Sequence, residues 1–184
     1  MVGLDGQEGD MTDGVYEKAK ADRNFLEKLG EKIPGFRGFQ DRELRRDMDR
    51  ALREHLAAGL GQLKSAVRDK ARAYTDAGQI GALNGFDRVD RRLDGLAQAV
   101  RFADYGASGL FDAVKIGEPE LARLYAFDDS VLEDLSGLET EIATVPAPGG
   151  EAPGAALDRV EQRLRALDEK WRQRERVIRD VVQS

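Results

Sequence analysis

The longest helical pattern of this chain runs from Asp41 to Ala77 and reads DRELRRDMDRALREHLAAGLGQLKSAVRDKARAYTDA. Its apolar residues recur every three or four positions: Leu44, Met48, Leu52, Leu56, Leu60, Leu63, Val67, Ala71 and Tyr74. This spacing predicts an amphipathic helix about 55 Å long, with Asp41 as its N-cap and Gly78 as its C′ residue. The mean step of about 3.75 residues makes the apolar stripe drift around the helix, so we expect the stripe to meet different partners along its length.

Two further helices are predicted after this one. The segment at about residues 79–103 keeps a heptad, because its apolar residues alternate by four and three: Ala82, Phe86, Val89, Leu93, Leu96, Val100 and Ala103. Residues 105–109 (YGASG) predict a kink, and residues 110–114 predict one or two more helical turns. The next helix begins near Pro119, a residue suited to a first helical turn, and runs to Ile142. A break in this helix at Asp128–Asp129 is left open.

The last 40 residues hold the clearest linker and the cleanest heptad. Residues 145–154 read VPAPGGEAPG, and we interpret them as a flexible linker. The heptad helix at residues 155–184 has two apolar rows spaced seven apart: Leu157, Leu164, Trp171 and Ile178, and Val160, Leu167, Arg174 and Val181. Only Arg174 interrupts this seam. The linker is long enough for the helix to pack in cis or in trans, and the sequence leaves both open.

The N-terminal part of the chain is organised differently. We interpret residues 1–12, which are acidic and rich in glycine, as a disordered leader, since they lack the basic and apolar regions of a secretory signal. Residues 13–31 predict an amphipathic helix, and the IPGFRGF stretch at 33–39 ends it. We assign residues 13–144 to one helical bundle. Because Leu, Ala, Arg and Glu dominate and no segment alternates as a strand does, the expected fold is all-α: an antiparallel helical bundle with a long helical hairpin and a C-terminal heptad helix.

The residue types of most catalytic and metal centres are missing. The chain has no cysteine and one histidine, His55, which lies at the edge of the apolar stripe of the long helix. A carboxylate di-metal bundle needs Glu-x-x-His on two helices, and this chain has none. We therefore expect a non-enzyme with no catalytic residue, metal or cofactor. The competing enzyme hypothesis rests on polar and aromatic residues near predicted breaks: Arg101, Asp104, Tyr105, Asp112 and Asp128.

The charge of the chain is unevenly distributed. A net charge of −6 and a pI near 5.0 argue against a dedicated nucleic-acid binder. Arginines and acids interleave in residues 37–54, which predicts a salt-bridged solvent face. The excess of acids lies in residues 112–141, with nine acids and two bases. This segment and the last helix supply the predicted interaction surface: Asp112, Glu118, Glu120, Asp128, Asp129, Glu133, Asp134, Trp171 and Arg174.

Three stretches together resemble a bacterial protein family. They are IPGFRGF at residues 33–39, YGASGLFDAVK at 105–115 and LYAFDDSVLE at 124–133. The family is all-helical and of unknown function, so the resemblance, over about residues 30–140, implies a helical fold and carries over no catalytic residue. It also implies a setting in membrane-associated or stress-response assemblies.

The strongest patterns in the sequence are typical of interfaces. We expect a non-enzymatic scaffold or adaptor that mediates protein–protein or self-association in the cytoplasm, without nucleic acid. A basic partner would relieve the repulsion within residues 112–141, and docking of this segment on arginine-rich helices of the same chain is the intramolecular alternative. The alternative function is a peripheral membrane-associated coiled-coil protein of a stress-response assembly, with the amphipathic first helix on the membrane surface. No stretch has the roughly 18 apolar residues of a membrane span.

Overall fold

The computed structural model describes residues 43–103 and 118–183. Within them, four α-helices follow in chain order: α1 (Glu43–Asp76), α2 (Leu83–Phe102), α3 (Glu118–Ala143) and α4 (Gly154–Gln183), with a 3₁₀ turn (Ile80–Ala82) before α2. These ranges contain no strand, which confirms the predicted all-α class. The predicted leader, the helix at 13–31, the loop at 33–39, the kink at 105–109 and the turns at 110–114 lie outside the described residues.

The end of α1 is set by Gly78. Its φ of 71° lies in the left-handed region, which glycine adopts without the steric penalty of a Cβ atom. The amide of Gly78 donates to the carbonyl of Thr75 (2.9 Å), and the amide of Gln79 donates to that of Tyr74 (2.8 Å). This is a Schellman motif, and it confirms the predicted C′ role of Gly78. The 3₁₀ turn follows, so α2 begins at Leu83 rather than at residue 79.

Contacts between side chains give the relative directions of the helices. Residue numbers rise in α1 as they fall in α2: Lys64 with Asp94, Arg68 with Asp90 and Tyr74 with Phe86. The same opposite order relates α3 to α4: Asp128 with Arg174, Asp134 with Lys170 and Glu141 with Arg159. Each pair is therefore an antiparallel hairpin. The hairpins pack together through α1 on α3 and α2 on α4, two contacts in which the helices run in the same direction.

The hydrophobic core lies between the two hairpins. The α2 heptad is buried at its five central positions, Phe86, Val89, Leu93, Leu96 and Val100, and half-buried at Ala82 and Ala103. The seam of α4 is buried against α2 and α3 of the same chain, at Leu157, Val160, Leu164, Leu167 and Trp171. Opposite them lie the core residues of α1 and α3, among them Leu52, Leu56, Leu60, Val131, Leu132 and Leu138. In this structure the C-terminal helix thus packs in cis.

The loop between α3 and α4 is attached to α1 at its start. Val145 is buried, and its carbonyl accepts a hydrogen bond from Nζ of Lys70 (2.9 Å). The hydroxyl of Tyr74 donates to the carbonyl of Pro146 (3.1 Å). These two bonds hold the connection of the second hairpin against the last turns of α1.

Two glycines allow close approach between the hairpins. A Cβ atom placed on Gly59 of α1 would lie 2.7 Å from Cδ2 of Leu135 in α3. A Cβ atom on Gly85 of α2 would lie 2.8 Å from Cδ1 of Leu157 in α4. Both leucines are at least nine-tenths buried, so they have little room to move away. Each glycine therefore lies where the Cβ atom of any other residue would clash with a leucine of the other hairpin.

A pair of alanine substitutions tests this contact. Gly59→Ala and Gly61→Ala bring the same gain in helix propensity, about 1 kcal/mol. Only Gly59→Ala meets Leu135, because a Cβ atom on Gly61 has nothing within 4 Å. We expect Gly59→Ala to be less stable than Gly61→Ala by about 1–3 kcal/mol in urea unfolding, through overpacking. Equal stability of the two variants would mean that the hairpins do not meet at residue 59.

Candidate functional site

The predicted interaction surface divides between the interior and the exterior of the bundle. Asp112 lies outside the described residues, and Glu118 and Glu120 lie in the first turn of α3, where side chains are not described. Glu133 is exposed, and Asp129 and Asp134 are half-buried. Three candidates are buried: Asp128, Trp171 and Arg174. These three are core residues rather than surface residues, because α4 packs its seam inward in cis.

Arg174 is the centre of a buried ion cluster that joins three helices. Its Nε and Nη2 atoms donate to the two carboxylate oxygens of Asp128 in α3, at 2.6 and 3.1 Å. Its Nη1 atom lies 2.9 Å from Oδ1 of Asp49 in α1. The other oxygen of Asp49 accepts a hydrogen bond from Nε of Arg53 (2.8 Å). The charges of two carboxylates and two guanidiniums thus balance within the cluster. The helix α3 is continuous through Asp128–Asp129, so the break that the sequence left open does not occur.

The pKa values within the cluster reflect the competition between burial and ion pairing. Burial raises the pKa of Asp128 above its ordinary value, although the charge and hydrogen bonds of Arg174 act in the opposite direction. Burial lowers the pKa of Arg174, but the charges and hydrogen bonds of Asp128 and Asp49 outweigh it, and the pKa of Arg174 is raised. The arginine therefore remains a cation at every accessible pH.

Trp171 covers one face of this cluster. The guanidinium carbon of Arg174 lies 5.1 Å from the centroid of the Trp171 ring, within the range of a cation–π interaction. Trp171 is 1% exposed, and its Nε1–H group has no hydrogen-bond partner among residues 43–103 and 118–183. The ring thus packs against the guanidinium of Arg174 and carries one buried donor without an acceptor among the described residues.

A second charged contact joins the hairpins on the side of α2 and α4. The carboxylate of Glu161 accepts hydrogen bonds from Arg88 (3.1 Å), Arg92 (2.9 Å) and Arg165 (2.7 Å). The hydrogen bonds from Arg165 and Arg92 are the main causes that lower the pKa of Glu161 to about 2. Glu161 is 8% exposed, so solvent screens these bonds less than at the surface.

This contact predicts a pH dependence of stability. The folded-state pKa of Glu161 lies below its ordinary value of 4.5, so the unfolded chain binds the proton more tightly. Its contribution to stability is therefore complete above pH 4.5 and is lost as the pH falls toward about 2. We expect Glu161→Gln to lower the urea midpoint of unfolding at pH 7. Between pH 4.5 and about 2, the midpoint of this variant should fall less than that of the wild type. Glu139→Gln, on an exposed side chain of α3 without an ion pair among the described residues, should follow the wild-type profile.

The acidic helix α3 is partly neutralised by α4. Glu141 accepts hydrogen bonds from Nε of Arg159 (2.7 Å) and Nε of Arg163 (3.2 Å). Asp134 forms an ion pair with Lys170. Together with the Asp128–Arg174 pair, these contacts match the intramolecular alternative for part of residues 112–141. The exposed acids Glu133 and Glu139 have no such contact with a cation of the described residues.

An open groove lies between α1 and the C-terminal turn of α2. Its volume is about 530 Å³, and it is lined by Arg50, Arg53, Glu54, Ala57, Ala58 and Arg101. Arg50 donates to Glu54 on the same helix (2.8 Å), and Arg53 is held by Asp49 of the buried cluster. Sequence reasoning placed Arg50 and Arg53 on a solvated salt-bridged face. It missed the groove because Arg101 comes from another helix, about 50 residues away.

Three other observations bear on the hypotheses from sequence. His55 is half-buried, and this burial lowers its pKa below the ordinary value. Within residues 43–103 and 118–183, no three His, Asp or Glu side chains come together as a metal site. No helix of these ranges has the length and hydropathy needed to cross a membrane.

The chain was compared with protein-family models, curated proteins and solved structures. None of these comparisons gives a match. Functional inference therefore rests on the charged surfaces and on the groove.

Proposed function

We propose that this protein is a non-enzymatic helical scaffold or adaptor that binds a basic protein surface, on a partner or on a second copy, through the exposed acids of α3. The observation that carries the proposal is the exposure of Glu133 and Glu139 on a helix segment without a single base. From Leu124 to Ala143 the sequence holds six acids and no Lys or Arg. Three of these acids, Asp128, Asp134 and Glu141, form ion pairs with α4. The exposed acids Glu133 and Glu139 form none with the described residues.

The packing of the bundle supports this choice of surface. The apolar seam of α4 is occupied by its own bundle as far as Trp171, so this part of the helix offers no heptad to a partner. The exposed face of α3 carries Glu133 and Glu139 beside small polar residues, Ser136 and Thr140. A face with short side chains and excess negative charge favours a partner that brings cations.

The protein itself carries complementary charge. Arg72, Arg91 and Arg101 form no ion pair with the described residues, in contrast to the paired arginines of α4. A second copy thus offers arginines to the acidic face of the first. Attraction between such exposed charges weakens as salt is added, since the Debye length falls from about 30 Å at 0.01 M to about 10 Å at 0.1 M.

The test measures the mass of the protein by light scattering and its binding to an immobilised lysine-rich peptide, each at low and high salt. We expect self-association or peptide binding at low salt that decreases at high salt. Glu133→Gln/Glu139→Gln should weaken it. The control Asp69→Asn/Asp87→Asn removes two exposed acids from α1 and α2 instead, and so changes the net charge equally.

The two variants distinguish a binding face from a general effect of charge. Loss in the α3 variant alone supports the proposal. Equal loss in both variants would show that only net charge matters, and this would contradict a specific face. A protein that is monomeric at every salt concentration and does not bind the peptide would contradict it as well.

A further inference from the structure

We propose that the groove lined by Arg50, Arg53 and Arg101 binds a phosphate group, either free or carried on a larger molecule. This site is separate from the acidic face of α3 and does not depend on the proposed scaffold function. Three of the six lining residues are arginines; Arg50 is paired with Glu54 and Arg53 with Asp49, so the excess positive charge of the groove is that of Arg101. A groove with an excess of positive charge attracts anions.

One guanidinium of the groove is fixed in place before any ligand binds. Arg53 is 7% exposed, and its Nε atom donates to Asp49, which in turn contacts Arg174. The ion cluster of three helices therefore holds the side chain of Arg53 at the wall of the groove. A donor held in this way loses little conformational freedom when an anion binds.

A second guanidinium supplies the uncompensated charge. Arg101 lies in the last turn of α2, is exposed, and has no carboxylate partner among the described residues. Most other arginines of the described chain form ion pairs, as Arg88 and Arg92 do with Glu161. An anion between α1 and α2 therefore provides for Arg101 the partner that residues 43–103 and 118–183 do not.

The shape of the groove favours phosphate over a single carboxylate. Guanidiniums reach it from both α1 and α2, and phosphate has enough oxygens to accept hydrogen bonds from both sides, where a carboxylate has two. Ala57 and Ala58 contribute only methyl groups, which leaves the space between the arginines open. The volume of about 530 Å³ exceeds what a phosphate ion fills, so the phosphate of a monoester also has room.

Calorimetric titration of the full chain with inorganic phosphate and with methyl phosphate, in sodium chloride of constant ionic strength, tests the proposal. We expect saturable binding of phosphate. Arg101→Ala should weaken it at least about tenfold, the loss expected for a hydrogen bond between charged groups. Glu54→Gln should strengthen it, because a negative charge leaves the groove. Arg91→Ala, an exposed arginine of α2 outside the groove, should leave the affinity unchanged.

The two ligands separate the possible sources of the phosphate. Binding of inorganic phosphate alone identifies a site for the free ion, and binding of both identifies a site for a phosphate carried on a larger molecule. The proposal is overturned if neither ligand binds, or if Arg101→Ala and Arg91→Ala weaken binding equally. Arg101 and Arg91 are both exposed, so unchanged urea midpoints will show that each variant is folded.

Discussion

Replacement of Arg174 by methionine is expected to lower the free energy of unfolding by about 3–5 kcal/mol at pH 7, because it leaves buried carboxylates without their cation. Asp128 loses both of its hydrogen bonds from Arg174, and Asp49 keeps only that of Arg53. Methionine fills much of the same space, so the loss reports charge rather than a cavity. Urea unfolding followed by far-UV circular dichroism measures it.

The loss of unfolding free energy in Arg174→Met should depend on pH. Arg174 counteracts the rise that burial causes in the pKa of Asp128, so its removal raises that pKa further. A carboxyl whose pKa is higher in the folded than in the unfolded state stabilises the fold at low pH, and this stabilisation is lost as the pH rises through the folded pKa. The deficit of Arg174→Met is therefore largest near neutral pH and shrinks as the pH falls and Asp128 takes up a proton.

Two controls define what the loss means. Arg172→Met removes an exposed ion pair with Asp168 one turn away, and should change stability by no more than about 0.5 kcal/mol. The double variant Asp128→Leu/Arg174→Met removes the main pair together and should recover much of the loss, because buried ion pairs are often replaceable by apolar residues. If Arg174→Met is no more damaging than Arg172→Met at any pH, the cluster does not hold the three helices.

Much of the helical fold was accessible from the sequence. Periodicity predicted the burial of Phe86, Leu93 and Val100, and the glycine at position 78 predicted the end of the longest helix. Both signals are local: a heptad marks a face of its own helix, and a C′ glycine acts on carbonyls within five residues. The all-α class follows from such signals without knowledge of which helices meet.

The candidate site depended on information that periodicity does not contain. Arg174 interrupts the apolar seam of the last helix, and its sequence context predicts a place on the interaction surface with Asp128. The structure instead buries both as partners, 46 residues apart. A lone arginine at a seam position is a signal for a buried acid elsewhere. The sequence offers many acids, however, and only the packing of α3 and α1 selects Asp128 and Asp49. The groove was missed for the same reason, since its walls come from two helices.

The positions of these charges suggest a division of roles between the two sides of the bundle. Glu161 binds arginines of α2 and α4 at the rim of the core, where the bonds are partly screened. Arg174 binds acids of α1 and α3 within the core, where solvent screens the ion pairs least. The contact of Glu161 adds stability that depends on pH, and the cluster of Arg174 fixes how the two hairpins align. Arg53 donates to Asp49 and also lines the groove, so the same cluster positions one wall of the groove.

Replacement of Trp171 by alanine is expected to destabilise the protein by about 3–5 kcal/mol, because it leaves a large cavity beside the ion cluster. Trp171→Phe should be much milder, within about 1.5 kcal/mol. Phenylalanine keeps an aromatic face toward Arg174 and removes the buried Nε1–H group that has no acceptor. Loss of an unsatisfied buried donor offsets part of the lost packing. Urea unfolding by far-UV circular dichroism is the measurement, since both variants lack the single tryptophan.

An exposed aromatic residue provides the control for this prediction. Phe102, at the end of α2, is 69% exposed, so Phe102→Ala should change stability by no more than about 0.5 kcal/mol. The burial of Trp171 in cis thus predicts a ranking of the free energies of unfolding. That of Trp171→Ala should be far below that of Trp171→Phe, and that of Phe102→Ala should be close to the wild-type value. Were the seam of α4 turned outward to a partner, the isolated chain would tolerate Trp171→Ala as well as Phe102→Ala. That result would restore Trp171 to the interaction surface and would require the hairpin of α3 and α4 to be open.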